Sequence, residues 1–230
     1  MKKKSLNVKN KIHKKILKYL NNKKIFKIYK EFELFLLNKG RFSVAVSGGP
    51  DSLALVFVAK CFSILNKIDI KYYLVDHRLR KNSSQEAKKV FLLLKKFDIN
   101  CKILIWKGRK PKSNIQAIAR NKRYYLLNNQ CKKDKINYLT LGHHIDDMYE
   151  NFLIRLLRGS GLKGLTSFGK NSEYKKNEVK LLRPLINLEK KDLIYLSKKI
   201  FNFYVEDPSN LNENFKRIRI RKLINLLESE

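Results

Sequence analysis

Apolar residues in this chain alternate between short β-branched runs and longer stretches of helical period. Val44-Ala45-Val46 reads as a buried strand; a Ser-Gly-Gly-Pro turn follows, then an apolar helix over Leu53 to Cys61. The strand pattern returns at Ile70 to Val75, Cys101 to Trp106, Ile136 to Leu141 and Val179 to Leu182, the last stopped by Arg183-Pro184. Ser83-x-x-Glu86 predicts a capping box opening a helix to about Phe97, and Ser113-x-x-Gln116 another opening a helix to about Cys131. Gly142 begins a turn into a helix ending near Gly159, and Gly159 to Asn177 reads as loop. Helices over Glu189 to Ile200 and Phe215 to Leu227 close the chain. Near the start, Ile25, Ile28, Tyr29, Phe32, Phe35 and Leu36 predict an amphipathic helix over Lys23 to Asn38, ended by Lys39-Gly40; Leu6 to Leu20 is also helical in pattern. No internal repeat interrupts this order. Strands and helices alternating at such spacing predict an α/β fold, a doubly wound parallel sheet with an N-terminal helical extension. Its ligands are then expected beyond the C-terminal ends of the strands.

Composition adds a partner class. The 230 residues hold 52 basic and 20 acidic side chains, a net +32, with 40 lysines against 12 arginines. Residues 1–40 alone carry 13 lysines and two glutamates. Such a field draws polyanions and predicts salt-sensitive RNA binding, with an anionic membrane surface as the rival. No apolar run is long enough for a membrane span, and the basic Met1-Lys2-Lys3-Lys4 lacks the apolar stretch of a signal peptide. A cytoplasmic protein is expected. Cys61, Cys101 and Cys131 are widely spaced without a C-x-x-C pair, as for core residues of a reducing compartment.

The first candidate site is Ser47-Gly48-Gly49-Pro50-Asp51-Ser52, between the first strand and its helix. Two glycines let the backbone approach a ligand, and Pro50 suits the first helical position. Amide groups with a helix dipole behind them make a phosphate site; Ser47 and Ser52 add hydroxyls, and Asp51 can hold a metal that neutralises the phosphates. It is neither a Walker A loop nor a G-x-G-x-x-G dinucleotide loop.

A second constellation, His143-His144-Ile145-Asp146-Asp147-Met148-Tyr149-Glu150-Asn151, opens a later helix. His143, Asp147 and Glu150 stand at i, i+4 and i+7 on one face. Acids in a first turn gain about 0.3–1 kcal/mol each from the dipole, which suffices for a single Asp. Three converging polar groups instead suit Mg²⁺, or an ammonium group that must be deprotonated. A zinc reading of the two histidines lacks further ligands at metal spacing. Arg120 and Arg123 on one helix are surface cations or ligands of ATP phosphates or RNA.

The glycine loop resembles the SGGxDS loop of the ATP pyrophosphatase (PP-loop) superfamily, whose members adenylate a substrate oxygen. Together with Val75-Asp76-His77-Arg78-Leu79-Arg80, Asn114 to Tyr124, Leu141 to Asn151, Leu156 to Gly161, Arg183-Pro184-Leu185 and Glu206-Asp207-Pro208-Ser209-Asn210, the chain is similar to the N-terminal domain of tRNA(Ile)-lysidine synthetases. The resemblance implies an adenine-nucleotide α-hydrolase fold, with a basic helical extension over 1–40 and a catalytic domain over 41–230 that ends in a helical segment, 189–230. It implies ATP and Mg²⁺ as cofactors, and tRNA(Ile) with a CAU anticodon and L-lysine as partners, with no membrane. The expected reaction joins lysine to the wobble cytidine through an adenylated intermediate. It implies ATP at Ser47, Gly48, Gly49, Pro50, Asp51 and Ser52, with Mg²⁺ on Asp51 and phosphate contacts from Arg123 and Arg120. Asp147 and Glu150 are then the candidates for deprotonating the amine, with His143 orienting, and Arg217, Arg219 and Arg221 those for tRNA, in a stretch of five cations without an acid. Two departures stand out. Arg217 is followed by Ile218 where the family usually has Asn, and the usual C-terminal tRNA-binding domains are expected to be absent from a chain that stops at Glu230. A tRNA thiolation enzyme is the nearest rival, set back by the scattered cysteines; a non-catalytic RNA-binding relative is set back by intact Asp51, Asp147 and Glu150.

Overall fold

The computed structural model describes residues 2–80, 82–109, 111, 113–173, 179–206 and 216–228. Two N-terminal helices, α1 (Lys2–Lys18) and α2 (Lys23–Leu36), precede β1 (Ser43–Val46), α3 (Pro50–Asn66), β2 (Lys71–Asp76), α4 (Ser83–Lys96) and β3 (Cys101–Ile105). Then come α5 (Ile115–Lys133), β4 (Tyr138–Thr140), α6 (Ile145–Leu156), the single turn α7 (Leu162–Leu165), β5 (Asn171–Glu173), β6 (Lys180–Leu182), α8 (Lys190–Phe201) and α9 (Lys216–Glu228).

The strands form one sheet in the order β3-β2-β1-β4-β6-β5. All neighbours pair in parallel except β5, which runs antiparallel to β6. Strand order reverses between β1 and β4, and right-handed crossovers then send the helices after these two strands to opposite faces. That leaves a crevice at their C-terminal ends. One face is covered by α2, α3, α4 and α8 in the larger apolar cluster. The other is covered by α5, whose Tyr124, Leu127 and Cys131 pack with Tyr73, Leu104 and Leu139.

Every residue of α3 from Ser52 to Phe62 is buried, because the sheet lies on one side and α1, α2 and α8 on the others. The one charged residue of that buried stretch, Lys60, donates to the Asp98 carbonyl at 2.7 Å and the Asp98 carboxylate at 3.2 Å. The same carboxylate meets His13 of α1 at 2.8 Å, so a buried ammonium ties the first helix to the core.

Neither predicted capping box forms. The caps of α4 and α5 are Asn82 and Asn114, without a side-chain cap bond. Ser83 and Ser84 turn instead to Asp76 at the end of β2, donating at 3.0 and 2.6 Å, and the Arg78 N–H adds a third bond. A buried carboxylate needs those donors more than a solvated helix end does. Burial opposes ionisation of Asp76, yet the bonds from Ser84, Arg78 and Ser83 hold its pKa below the ordinary value. The stretch read as loop after Gly159 contains α7 and β5. Of the Glu206 to Asn210 block, 207–210 lie outside the described residues, as does Phe215 at the expected start of the last helix.

Candidate active site

The loop from Ser47 to Ser52 is built around the Ser52 hydroxyl. It accepts the N–H groups of Ser47 (3.2 Å) and Gly48 (3.0 Å), contacts the Ser47 hydroxyl at 3.0 Å and donates to the Gly49 carbonyl. Ser52 is buried, so its hydroxyl organises the turn rather than facing the crevice. Gly48 has φ +87°, and a Cβ there would lie 2.7 Å from Val90 Cγ2. Its carbonyl also accepts the Val205 N–H. With the Ser47 and Gly48 N–H groups engaged, those of Gly49, Asp51 and Ser52, which have no intrahelical acceptor, are the remaining helix-end donors.

The turn after β4 lies directly against this helix start. A Cβ on Gly142 would fall 2.9 Å from the Asp51 carbonyl oxygen and 3.1 Å from the Ser52 nitrogen, both backbone atoms that cannot swing aside. Gly142→Ala is therefore expected to push the two helix starts apart. The cost should be about 1–3 kcal/mol in thermal or urea unfolding, with weakened ATP binding by calorimetry; unchanged values of both would contradict this packing.

His144 fills the junction. It is the N-cap of α6 and its side chain is 2 % exposed. Nε2 lies 3.7 Å from Asp51 Oδ2 and 3.5 Å from Asp147 Oδ2, and Nδ1 lies 3.0 Å from Asp146 Oδ2. Asp147 also accepts the His144 N–H at 3.3 Å. Asp146 accepts the Lys190 N–H at 3.0 Å, which joins the start of α8 to the same point.

The two aspartates are tuned in opposite directions. Burial raises the pKa of Asp51, against the lowering pull of His144 and Lys190. Burial also works on Asp147, but His144, Arg217 and the bond from the His144 N–H outweigh it and lower its pKa. His143 is pushed down to about 3 by burial and by Arg183, Arg120 and Arg217, against the pull of Asp147, so its imidazole is neutral near pH 7. Its ring meets Phe168 edge-on, and Arg183 lies over the Phe168 ring at 4.5 Å while donating to the Gly169 carbonyl and Ser172 Oγ. Three guanidinium groups thus bear electrostatically on a neutral histidine.

Asp51 Oδ1 is buried and has no hydrogen-bond partner among the described residues. A carboxylate oxygen in that state, beside a second carboxylate and a helix end suited to phosphate, fits Mg²⁺ held by one or two carboxylates and completed by phosphate oxygens. No group of three or more His, Cys, Asp or Glu side chains able to hold a metal alone occurs among the described residues.

Other expected site residues lie differently. Arg123 Nε donates to His77 Nε2 at 3.1 Å, beyond the end of β2, and burial with this arginine lowers the His77 pKa to about 4. Arg120, over the Tyr124 ring at 5.2 Å, is the one close enough to act on His143. Glu150 is 1 % exposed, and both its oxygens are taken by α9: Arg217 Nε at 3.0 Å from Oε2, and Arg221 through Nε to Oε1 and Nη2 to Oε2. Expected to face tRNA, Arg217 and Arg221 turn inward because a buried carboxylate must be paired. Arg219 is exposed. Sequence reasoning passed over His144, Arg183 and Lys190. The His-His-x-Asp-Asp sequence is the signal that points to His144.

Between the starts of α6 and α8 and the inner side of α9 lies a cavity of about 630 Å³, lined by Asp146, Glu150, Glu189, Lys190, Arg221 and Ile224 among others.

The family model described as PP-loop domain matches residues 10–227. This chain belongs to the PP-loop family. It is similar to the tRNA(Ile)-lysidine synthase of Orientia tsutsugamushi, 40% identical over 185 residues that are 80% of this chain and 41% of the relative. Similar too are proteins of the same description from Bradyrhizobium diazoefficiens (35% over 189 residues; 81% and 52% covered) and Rhodopseudomonas palustris (38% over 189 residues; 81% and 54%). The PP-loop chain spans about half the length of the curated relatives it matches. Among solved structures, the U34-tRNA thiolase NcsA from Methanococcus maripaludis with its [4Fe-4S] cluster shares the fold, at TM-score 0.74, 18% identity, and 90% and 73% coverage. No helix among the described residues of the PP-loop chain is long and apolar enough to cross a membrane.

Proposed function

We propose that this PP-loop chain joins L-lysine to the wobble cytidine of the CAU anticodon of tRNA(Ile), with ATP converted to AMP and pyrophosphate. The observation that carries the reading is the Gly142–Asp51 contact, which brings a phosphate-type helix end within one side chain, His144, of an acidic helix start. Adenylation followed by amine attack needs those two elements at one point.

In the first step the cytosine 2-carbonyl oxygen attacks the α-phosphorus of ATP. The new P–O bond forms as the bond to pyrophosphate breaks. The loop amides and Asp51 would bind the phosphates, and Mg²⁺ on Asp51 would neutralise the leaving charge. Arg120 and Arg183 add positive field beside neutral His143. In the second step the lysine ε-amine bonds to the same ring carbon and the C–O bond to AMP breaks. The amine must first lose a proton. Asp147 is the better acceptor, since Glu150 is held by two arginines. The neighbouring cavity suits free lysine: Asp146 and Glu189 for its ammonium groups, Ile145 and Ile224 for its methylenes, Lys190 and Lys191 for its carboxylate.

The test is to incubate the 230-residue chain with unmodified tRNA(Ile), ATP, Mg²⁺ and lysine, following pyrophosphate release and tRNA mass. Lysine-dependent mass gain on the tRNA is expected. Mass gain that depends on a sulfur donor would instead assign a thiolation enzyme, which buried Cys61, Cys101 and Cys131 speak against. No product would reject the ligase.

A further inference from the structure

Lys11, Lys14, Lys15 and Lys18 stand at i, i+3, i+4 and i+7 on α1, so four ammonium groups share one arc of about 100°. All four are exposed, and no acid pairs with any of them among the described residues. Elsewhere on the N-terminal helices acids are supplied: Lys24 pairs with Asp192 and Lys30 with Glu33. The first acidic residue of the chain is Glu31. Like charges at i, i+4 destabilise a helix, and although the dipole favours Lys15 and Lys18 in the last turn of α1, no acid among the described residues neutralises the stripe.

The opposite face of α1 is firmly seated. Ile16 is buried, His13 meets the Asp98 carboxylate that also holds Lys60, and Tyr19, just past the helix, packs edge-on against Phe57. These anchors set the direction. Tyr19 touches α3 six residues past Asp51, and His13 reaches its anchor level with Lys60, nine residues past it. At 1.5 Å per residue the lysine stripe therefore lies alongside the part of α3 roughly 10–15 Å below the crevice. It is a rigid surface beside the site, not a free basic arm.

We propose that this stripe docks the phosphate backbone of an RNA stem, holding the tRNA beyond the loop that carries the modified base; this rests on the tRNA reading above. Closely spaced point charges without interleaved exposed aromatics suit backbone phosphates, not base edges or stacked bases. An anionic membrane fits less well. An interfacial helix must insert its apolar side, and Ile12, Ile16 and Leu17 are packed on the core.

The test replaces all four lysines by glutamine and titrates full-length tRNA(Ile), a minimal anticodon-loop oligonucleotide and ATP over a series of salt concentrations. Affinity for full-length tRNA should fall about tenfold at 0.15 M salt, and the slope of log K against log salt should shrink by about three. Binding of the loop oligonucleotide and ATP should be unchanged, and the melting temperature equal or higher. Unchanged tRNA affinity and slope would overturn the proposal. So would retained tRNA binding with lost binding to phosphatidylglycerol vesicles, which assigns the stripe to a membrane. A wild-type chain that binds tRNA but transfers no lysine would remove the ligase reading and leave the stripe standing. A wild-type chain that ligates, with an indistinguishable variant, would remove the stripe alone.

Discussion

Asp51→Asn is expected to lower tRNA-dependent pyrophosphate release at least about a hundredfold while raising the melting temperature of the chain in metal- and nucleotide-free buffer. The first effect follows from the partnerless, buried Oδ1, the oxygen best placed to hold the cation that neutralises the leaving pyrophosphate. The second follows from the raised pKa. Burial makes the ionised form of Asp51 less favourable in the folded chain than in the unfolded one. Its folded state therefore binds more protons in the window between the ordinary and the raised value. Through that window stability falls as pH rises, and above it the deficit stays constant. Asparagine removes the deficit, so the gain should grow as pH rises from the ordinary carboxylate value through the raised one, and vanish below the ordinary range. Asp147 works with the opposite sign. Its lowered pKa contributes stability above the ordinary value, which is lost as pH falls through the lowered one, so Asp147→Asn should destabilise at neutral pH. Scanning calorimetry at several pH values, with affinity for tRNA as a control, reads all of this. An Asp51→Asn chain that turns over normally, or melts lower at neutral pH, would contradict the placement of that carboxylate.

Sequence periodicity suffices for the parallel strands, because a strand buried on both faces is written as a continuous apolar run, as in Val44 to Val46. The glycine turn before α3 is equally local. What local pattern cannot supply is the partner of a polar side chain. Ser83 has the spacing of a capping residue but bonds Asp76 across a turn, since a buried carboxylate outranks an exposed helix end. Arg217 and Arg221 read as candidate tRNA contacts because the Glu150 that claims them is 67 and 71 residues away. His144 went unused for the same reason: its meaning lies in Asp51, 93 residues earlier. Strand β5 is three residues long and pairs antiparallel at the sheet edge, below the length at which alternation carries a signal.

The Glu150 clasp leads to the second large effect. Glu150→Gln keeps the shape but removes the charge shared by two arginines, which are part-exposed at 37 % and 28 % for the side chains of Arg217 and Arg221. Solvent can therefore take up part of what is lost. The expected stability change is about 1–2 kcal/mol, less than for a fully buried pair, with α9 loosened from α6. That loosening removes Arg221 and Ile224 from the cavity wall. Lysine KM should then rise at least about tenfold, while pyrophosphate release in the absence of lysine, which depends on Asp51 and the glycine loop, stays near normal. Hydrogen exchange over 216–228 should quicken in parallel. The alternative, Glu150 as the group that deprotonates the amine, makes a different forecast: a collapse in kcat with lysine KM and α9 protection unchanged. Arg221→Lys separates the two further. A lysine cannot reproduce the two-point contact on Glu150, so the variant should resemble Glu150→Gln in KM and exchange if the clasp is what matters. It should be nearly silent if Glu150 acts directly on the amine.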